Sequence, residues 1–237
     1  RGDVVLGGPG RTVHRKQAFL VLDVGGDDIY HCSAGAAAPD RPVSILLDLG
    51  GDDLHLPGEG PSQGGALAGV AALLDLGGGR DTYLGGEVSQ GAAAVGFGML
   101  YDDGGANTFR AGAFSQGTAC WGLGLLFPGV GDDSLAGRGP CQGSAGPAGF
   151  GLLLDFGGND LYRARAGGRD PWAHGSQGAA AGMLRTGWPL GTGMLIDRQG
   201  DDCYRTDGAG QGAGFCDGLG VLVDLAGRDL YRAGDLA

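Results

Sequence analysis

The sequence predicts an all-β protein, a parallel β-solenoid of about eight coils of 26–27 residues each. Three observations lead to this fold class. A phrase of the form apolar-apolar-Asp-x-Gly-Gly-Asp-Asp-x-Tyr recurs eight times, glycine accounts for 55 of the 237 residues, and the apolar runs are only three to five residues long. A unit this small cannot bury its own apolar face, so successive units must stack on one another.

The first Asp of the phrase sets the period. It stands at Asp23, Asp48, Asp75 and Asp102, is replaced by Pro128, and returns at Asp155, Asp197 and Asp224, with spacings of 25, 27, 27, 26, 27, 42 and 27 residues. Short apolar runs bounded by Gly-Gly or Gly-Asp indicate strands separated by turns. Glycine in nearly every window argues against helix, since each costs about 1 kcal/mol there.

A second segment, usually Ser-Gln-Gly-x-Ala, follows most phrases and supports the same period. Its glutamines are Gln63, Gln90, Gln116, Gln142, Gln177 and Gln211. In a solenoid these amides would stack, and we expect an amide ladder that satisfies buried polar groups along the axis.

The Gly-Gly-Asp-Asp turns also allow a different fold. They could be hairpin turns, which would make each unit a hairpin of an antiparallel β-barrel or a propeller. Aromatic residues are only 7% of the chain and form no girdle pattern, which favours the solenoid. We assign 1–17 to an N-terminal cap or flanking segment and 18–237 to the solenoid, with an irregular coil at 163–193.

The second Asp of the turn is the best-kept position and the candidate metal site. In a solenoid its members would form a file one strand spacing apart, where two charges repel by about 3 kcal/mol at an effective dielectric constant of about 20. Turn N–H groups could offset this repulsion, or a hard cation such as Ca²⁺ could bind between coils. The candidate ligands are Asp28, Asp53, Asp81, Asp133, Asp160, Asp202 and Asp229, with Asn107 in the fourth copy.

An aromatic position two residues further on also repeats. It holds Tyr30, His55, Tyr83, Phe109, Leu135, Tyr162, Tyr204 and Tyr231. We interpret these rings as packing that fixes the register, with a sugar-stacking platform as the alternative. His55 occupies a ring position, so we interpret it as packing rather than as a ligand.

The irregular coil is the candidate ligand or partner site. Insertions in repeat proteins project as loops and often carry binding functions. Arginine, tryptophan and histidine together suit a carboxylate, a sugar acid or a protein surface. The candidate residues are Arg163, Arg165, Arg169, Asp170, Trp172, His174, Arg185 and Trp188.

Composition excludes several classes of protein. The net charge of −11 argues against nucleic acid as a partner. No apolar run approaches the length of a transmembrane helix. The five cysteines form no Cys-x-x-Cys pair, so we expect small buried side chains rather than a metal site.

At its turns the sequence resembles the RTX (haemolysin-type) calcium-binding repeats. The segments GGDDIY, GGNDLY and GGGRDTY are similar to the Gly-Gly-x-Gly-x-Asp-x-apolar nonapeptide of that family. The resemblance covers about seven residues of each unit, and the period and the glutamine segment differ. It implies Ca²⁺ in stacked turns and an extracellular, cell-surface or periplasmic location.

These features together predict a non-catalytic structural or binding solenoid with acidic turns that bind Ca²⁺. No Ser/His/Asp or Cys/His arrangement can be assembled from the spacing. A β-helix polysaccharide lyase or hydrolase is one alternative, by analogy of fold alone. A subunit of a larger surface complex is another, and a protein or a glycan would then be the partner.

Overall fold

Two parallel sheets of nine strands each build the molecule, and the chain alternates between them. The structure, a computed structural model, describes residues 2–31, 33, 35–165, 175–182 and 190–234. Every strand pair in these ranges is parallel, and no helix occurs there. The parallel β-solenoid is therefore confirmed, and the antiparallel barrel or propeller alternative is wrong.

The first sheet, here sheet A, contains the longer strands. They are β1 (Val4–Leu6), β3 (Leu20–Leu22), β5 (Val43–Asp48), β7 (Gly69–Asp75), β9 (Gly96–Asp102), β11 (Gly122–Phe127), β13 (Phe150–Leu154), β16 (Thr192–Asp197) and β19 (Leu219–Asp224). Each strand pairs only with the strands one coil before and one coil after it in sequence.

Sheet B contains the shorter strands that follow the Gly-Gly-Asp-Asp turns. They are β2 (Val13–His14), β4 (Ile29–Tyr30), β6 (Leu54–His55), β8 (Thr82–Leu84), β10 (Thr108–Arg110), β12 (Ser134–Arg138), β14 (Leu161–Arg165), β17 (Cys203–Thr206) and β20 (Leu230–Ala233). A two-stranded sheet C pairs β15 (Ala180–Ala181) with β18 (Gly214–Phe215).

Equivalent residues of successive repeats lie directly beside one another. Leu73 pairs with Leu46 on one side and with Leu100 on the other. The extra residues of the irregular coil do not break this register, because β13 pairs with β16 across them, Leu153 beside Leu195. The insertion therefore adds no strand to sheet A or to sheet B.

Residues 3–14 form one more, degenerate copy of the repeat. Strand β1 pairs with β3, and β2 pairs with β4, so both sheets begin here. In this copy Gly7 stands where the next copy has Asp23, and Thr12 stands where it has Asp28. The signature acids are replaced, which is why self-comparison of the sequence assigned 1–17 to a cap or flanking segment.

The core between the sheets is narrow and is built from two columns of side chains. One inward position of sheet A supplies a column of aliphatic residues, Val21, Leu46, Leu73, Leu100, Leu126, Leu153 and Leu195, all fully buried. The aromatic position of sheet B supplies the facing column. Alternation along each strand leaves the neighbouring side chains on the outer surface.

The third side of each coil is made of small residues. Single-residue bridges link Ala37, Ala66, Ala93, Ala119 and Ala145 from coil to coil, and they lead into sheet C. Ala37, Ala66 and Ala93 are completely buried. These small side chains pack against sheet A, where Ala71 belongs to the same buried cluster.

The outer face of sheet A is apolar along its whole length. Three columns of outward side chains cross it, and one of them, for example, runs through Met99, Leu125 and Leu152 on adjacent strands. Their neighbours Val70, Phe150 and Leu219 are exposed. No helix in the described ranges is both long enough and apolar enough to cross a membrane.

The second glycine of the turn is required by the close approach of neighbouring coils. Gly105 has φ of 131°, in the region that favours glycine, and an added Cβ would overlap the carbonyl oxygen of Gly79 in the preceding coil. We expect Gly105→Ala to lower the free energy of unfolding by about 2 kcal/mol through strain and displaced backbone. Urea denaturation measures the change.

Gly86→Ala is the matched control, because a Cβ added there would meet nothing within 4 Å. We expect that variant to stay within about 0.5 kcal/mol of the parent. Equal stability of the two variants would contradict the close stacking of the turns.

Candidate functional site

The candidate site is the acidic corner that joins sheet A to sheet B. Each coil turns there through the Gly-Gly-Asp-Asp segment. The first Asp of the repeated phrase, which stands two residues before the first glycine, holds this turn. The Asp48 Oδ1 accepts the N–H of Gly50 at 2.9 Å, and the Asp102 Oδ1 accepts that of Gly104 at 2.8 Å. Asp bonding a backbone amide two residues on is typical of turns. The first-Asp column consists of Asp23, Asp48, Asp75, Asp102, Asp155, Asp197 and Asp224.

The candidate metal ligands lie in a single file linked by hydrogen bonds. The Asp53 Oδ1 accepts the backbone N–H of Asp28 at 2.6 Å, and the Asp81 Oδ1 accepts that of Asp53 at 2.7 Å. The same bond recurs in every later coil, through Asn107 and on to the Asp229 Oδ1. Each carboxyl therefore joins its coil to the preceding one, and we call this file the second-Asp column.

The other oxygen of each of these carboxyls has no hydrogen-bond partner among the described residues. The orphaned atoms are the Oδ2 atoms of Asp28, Asp53, Asp81, Asp133, Asp160 and Asp202, and all of them are buried. Burying an ionised carboxylate without a partner is costly, so such groups take up a proton instead.

The pKa values of the second-Asp column follow this expectation. Burial is the largest cause and raises the pKa of Asp53, Asp133 and Asp160 to about 9. It raises the pKa of Asp202 to about 8 and that of Asp81 to about 7. Negative charge on the first-Asp column adds to the effect, for example from Asp48 and Asp75 on Asp53. Most of the file is therefore protonated at neutral pH.

Tyrosine hydroxyls satisfy the first-Asp column. The Tyr83 hydroxyl bonds the Oδ2 atoms of Asp75 and Asp102 at 2.8 and 2.7 Å. The Tyr162 hydroxyl bonds those of Asp155 and Asp197 at 2.7 and 2.8 Å. Tyr83 and Tyr162 thus connect the acid of their own coil with the acid of the next, whereas within the described part of the chain the Tyr204 hydroxyl bonds only Asp197 of its own coil.

The rings themselves stack face to face along the axis, as the repeat predicts. His55 lies between Tyr30 and Tyr83 with ring centroids 4.5 and 4.6 Å apart, and Tyr162 stacks on Tyr204 at 4.9 Å. The column is buried from His14 to Tyr204. The sequence did not indicate that the hydroxyls of these packing rings also hold the acids.

The fifth coil carries the signal that could have revealed this link. It has Pro128 in place of the first Asp, and Leu135 in place of the tyrosine. Acid and hydroxyl are lost together within one copy, as expected of partners in one hydrogen bond. In the fourth coil Phe109 lacks the hydroxyl, and Asp102 accepts a hydrogen bond from the Tyr83 hydroxyl of the preceding coil.

Two histidines bring the corner closest to a metal-binding geometry. His14 Nε2 lies 2.5 Å from the Asp23 Oδ2, and His55 Nε2 lies 3.7 Å from the Asp75 Oδ2. Several clusters place three ligand atoms within 4.8 Å of one another, including one of Asp28, Asp48 and Asp53. In that cluster the three Oδ1 atoms and the Asp48 Oδ2 already accept hydrogen bonds. The buried Oδ2 atoms of Asp28 and Asp53 accept none from the described residues, and once deprotonated they are the oxygens that a hard cation such as Ca²⁺ would bind. Calcium binding stays a prediction.

The glutamine file is only partly the amide ladder that we expected. The Gln90 Nε2 donates to the Gln63 Oε1 at 3.2 Å, and the Gln116 Nε2 donates to the Gln90 Oε1 at 3.1 Å. The same Nε2 atoms also donate to backbone carbonyls at the ends of sheet B, such as that of Tyr83 at 2.9 Å. The glutamines have φ near 50°, so they form the second corner of the coil and attach it to sheet B.

The candidate ligand residues of the irregular coil are described only in part. Arg163 and Arg165 lie on β14 with exposed side chains. Arg169, Asp170, Trp172, His174, Arg185 and Trp188 lie outside the described residues. Two further arginines, Arg205 and Arg232, pair beside Arg163 on the next two strands. The recurring Tyr-Arg dipeptide of the last three sheet B strands was the overlooked sequence signal.

No protein-family model matches the chain, and no curated protein or solved structure is significantly similar to it.

We expect the melting temperature to fall as the pH rises from about 5 to about 9. The second-Asp column binds protons more tightly in the folded state than in the unfolded state, where the pKa is near its ordinary value of 3.8. Its contribution to stability is complete below about pH 4 and is lost as the pH passes about 7 to 9. In a chain of this size each kcal/mol lost lowers the melting temperature by about 2–4 °C.

The variant Asp53→Asn/Asp133→Asn is the matched control, because Asn107 occupies the same position in the fourth coil. The amide keeps the acceptor oxygen and cannot ionise, so the fall with pH becomes smaller. A melting temperature that stays constant or rises between pH 6 and 9 in the parent protein would show that the file is not protonated.

Proposed function

We propose that this chain is a non-catalytic structural protein that self-associates through the apolar outer face of sheet A. The observation that carries the proposal is the composition of that face. Its three columns of outward side chains contain only apolar residues, tyrosine and one threonine, Thr192, over the strands from β1 to β19. Soluble monomers rarely expose so large a contiguous apolar surface.

A second copy of the chain is the occupant that best matches this face. Nine strands about 4.8 Å apart, seven of them five to seven residues and so about 20 Å long, give a surface of roughly 800 Å². That is about the area each partner contributes to a stable protein–protein interface. Two such faces packed as aligned sheets would cover both apolar surfaces at once, as in β-sandwiches. These columns hold no charged side chain, so packing two of these faces together would bury no unpaired charge from them.

The use of the buried polar groups supports a structural role over a catalytic one. The acids of the corner hold turns, neighbouring coils and tyrosines, and the same bonds recur along the axis. A recess on the third side, lined in part by Phe114, Cys120 and Phe215, offers a thiol whose pKa is raised by burial. A raised pKa disfavours the thiolate that nucleophilic catalysis needs.

Neutralisation of the acidic corner is the second part of the proposal. Bound protons neutralise most of the second-Asp column at neutral pH, and Ca²⁺ takes their place when the protons are lost at higher pH. Metal binding to carboxylates displaces protons and therefore strengthens as the pH rises. An extracytoplasmic location, suggested by the resemblance to secreted calcium-binding repeats, stays a prediction.

We expect the protein to be a dimer in sedimentation equilibrium at about 100 µM. Leu125→Lys/Leu152→Lys places two charges at the centre of the apolar face, and we expect that variant to be a monomer that still unfolds cooperatively. Burying two unpaired ammonium groups in an apolar interface is strongly unfavourable.

Leu84→Lys is the control, because Leu84 is a partly buried leucine that faces outward from sheet B. We expect that variant to remain a dimer. A monomeric parent protein at 100 µM, or dissociation of both variants alike, would reject self-association through sheet A.

We expect millimolar Ca²⁺ to raise the melting temperature at about pH 9 and to have a smaller effect at about pH 6, where protons already occupy the corner. The Asp53→Asn/Asp133→Asn variant should respond less at pH 9. Identical melting temperatures with and without Ca²⁺ at both pH values would reject calcium binding. Neutralisation by protons is tested separately, by the pH dependence of the melting temperature without Ca²⁺.

A further inference from the structure

Six of the sixteen basic side chains gather on the outer face of sheet B. Arg110 pairs beside Ala136, which pairs beside Arg163, and the column continues through Arg205 to Arg232. In the next outward column Arg138 pairs beside Arg165. All six side chains are exposed. We call this set the arginine ladder: Arg110, Arg138, Arg163, Arg165, Arg205 and Arg232.

The ladder places like charges beside one another on adjacent strands, which is destabilising in a sheet. Among the described residues none of the six arginines forms an ion pair with a carboxylate. The first half of the sheet avoids this arrangement, since Leu56 and Leu84 occupy the equivalent outward positions. An anionic partner bound to this face would offset the repulsion among these arginines.

The shape of the surface indicates an extended partner. The ladder runs along the solenoid axis over five strands, from β10 to β20, which is about 19 Å at the usual strand spacing. Arg163, Arg165, Arg205 and Arg232 line a shallow open recess together with Thr206 and Asp207. A single small anion would contact one or two of these guanidinium groups, whereas a linear chain with repeated negative charges can contact them all.

We propose that the arginine ladder binds a linear acidic polysaccharide. Guanidinium groups bind carboxylates through paired hydrogen bonds, and their regular spacing suits a polymer that carries one acid on each sugar. The outward column beside the arginines runs through Thr108, Ser134, Leu161, Cys203 and Leu230. It offers hydroxyl groups to a sugar on its first two strands and mainly apolar side chains to the C–H faces of sugar rings on its last three. This column holds no aromatic ring on which a nucleic-acid base could stack.

This binding site does not depend on self-association. The arginine ladder belongs to sheet B, and the proposed dimer interface belongs to sheet A. The full chain can therefore be tested for each property separately, and the monomeric sheet A variant should bind the polysaccharide as the parent does.

The test is isothermal titration of the full chain with a galacturonate oligomer of about ten sugars at low salt. We expect binding that weakens as the salt concentration rises, because the contacts are ionic. The variant Arg163→Gln/Arg205→Gln/Arg232→Gln should bind at least tenfold more weakly. Its melting temperature without ligand should equal or exceed that of the parent, since the like-charge repulsion is removed.

The matched control is Arg11→Gln/Arg80→Gln/Arg228→Gln, which removes the same charge from exposed positions on the turn corner. We expect its affinity to stay within twofold of the parent. Equal losses in the two variants would show that net charge alone drives binding and would overturn the site. The polysaccharide assignment would be overturned if the parent did not bind the galacturonate oligomer, or if it bound a single-stranded DNA of about ten nucleotides more tightly than that oligomer.

Discussion

The structure depends on neutralising a file of buried carboxyls. Parallel stacking in register places the same residue of every coil at the same point around the axis, so one acidic position becomes a column of acids about one strand spacing apart. Ionised, that column would repel itself. Backbone N–H groups and tyrosine hydroxyls of the same repeat donate hydrogen bonds to the acids, and protons neutralise the carboxyls whose second oxygen is buried without a partner.

The hydrogen bonds of the corner also explain why the repeat is so regular inside. The Asp81 carboxyl joins its coil to the one before it, and the Tyr83 hydroxyl joins its coil to the one after it. A change at either position therefore affects two coils. The loss of the hydroxyl at Phe109 is tolerated because Tyr83 bonds Asp102, and at Leu135 the acid of the same coil is replaced by Pro128. The outer positions lack such hydrogen bonds, and there the two sheets differ: sheet A is apolar, and the second half of sheet B is basic.

Much of the fold could be predicted from the sequence. The period, the parallel stacking and the alignment of Asp53 with Asp81 follow from self-similarity, because identical units bury identical faces only when they stack in register. The additional rung at residues 3–14 could not be predicted, since Gly7 and Thr12 replace the acids that identify a copy. Its backbone pairs with the next coil all the same, because pairing in a sheet requires main-chain groups and not the signature side chains.

The sequence by itself determined which residues stand in line, and it pointed to the acidic column and the ring column as separate features. Only the tertiary structure decided that Tyr83 and Asp75 meet, that the second carboxyl oxygen of Asp53 is buried without a partner, and that Arg163, Arg205 and Arg232 share one outer column. The physical reason is that a repeat fixes the distance along the axis. The distance across a coil depends on how each corner turns.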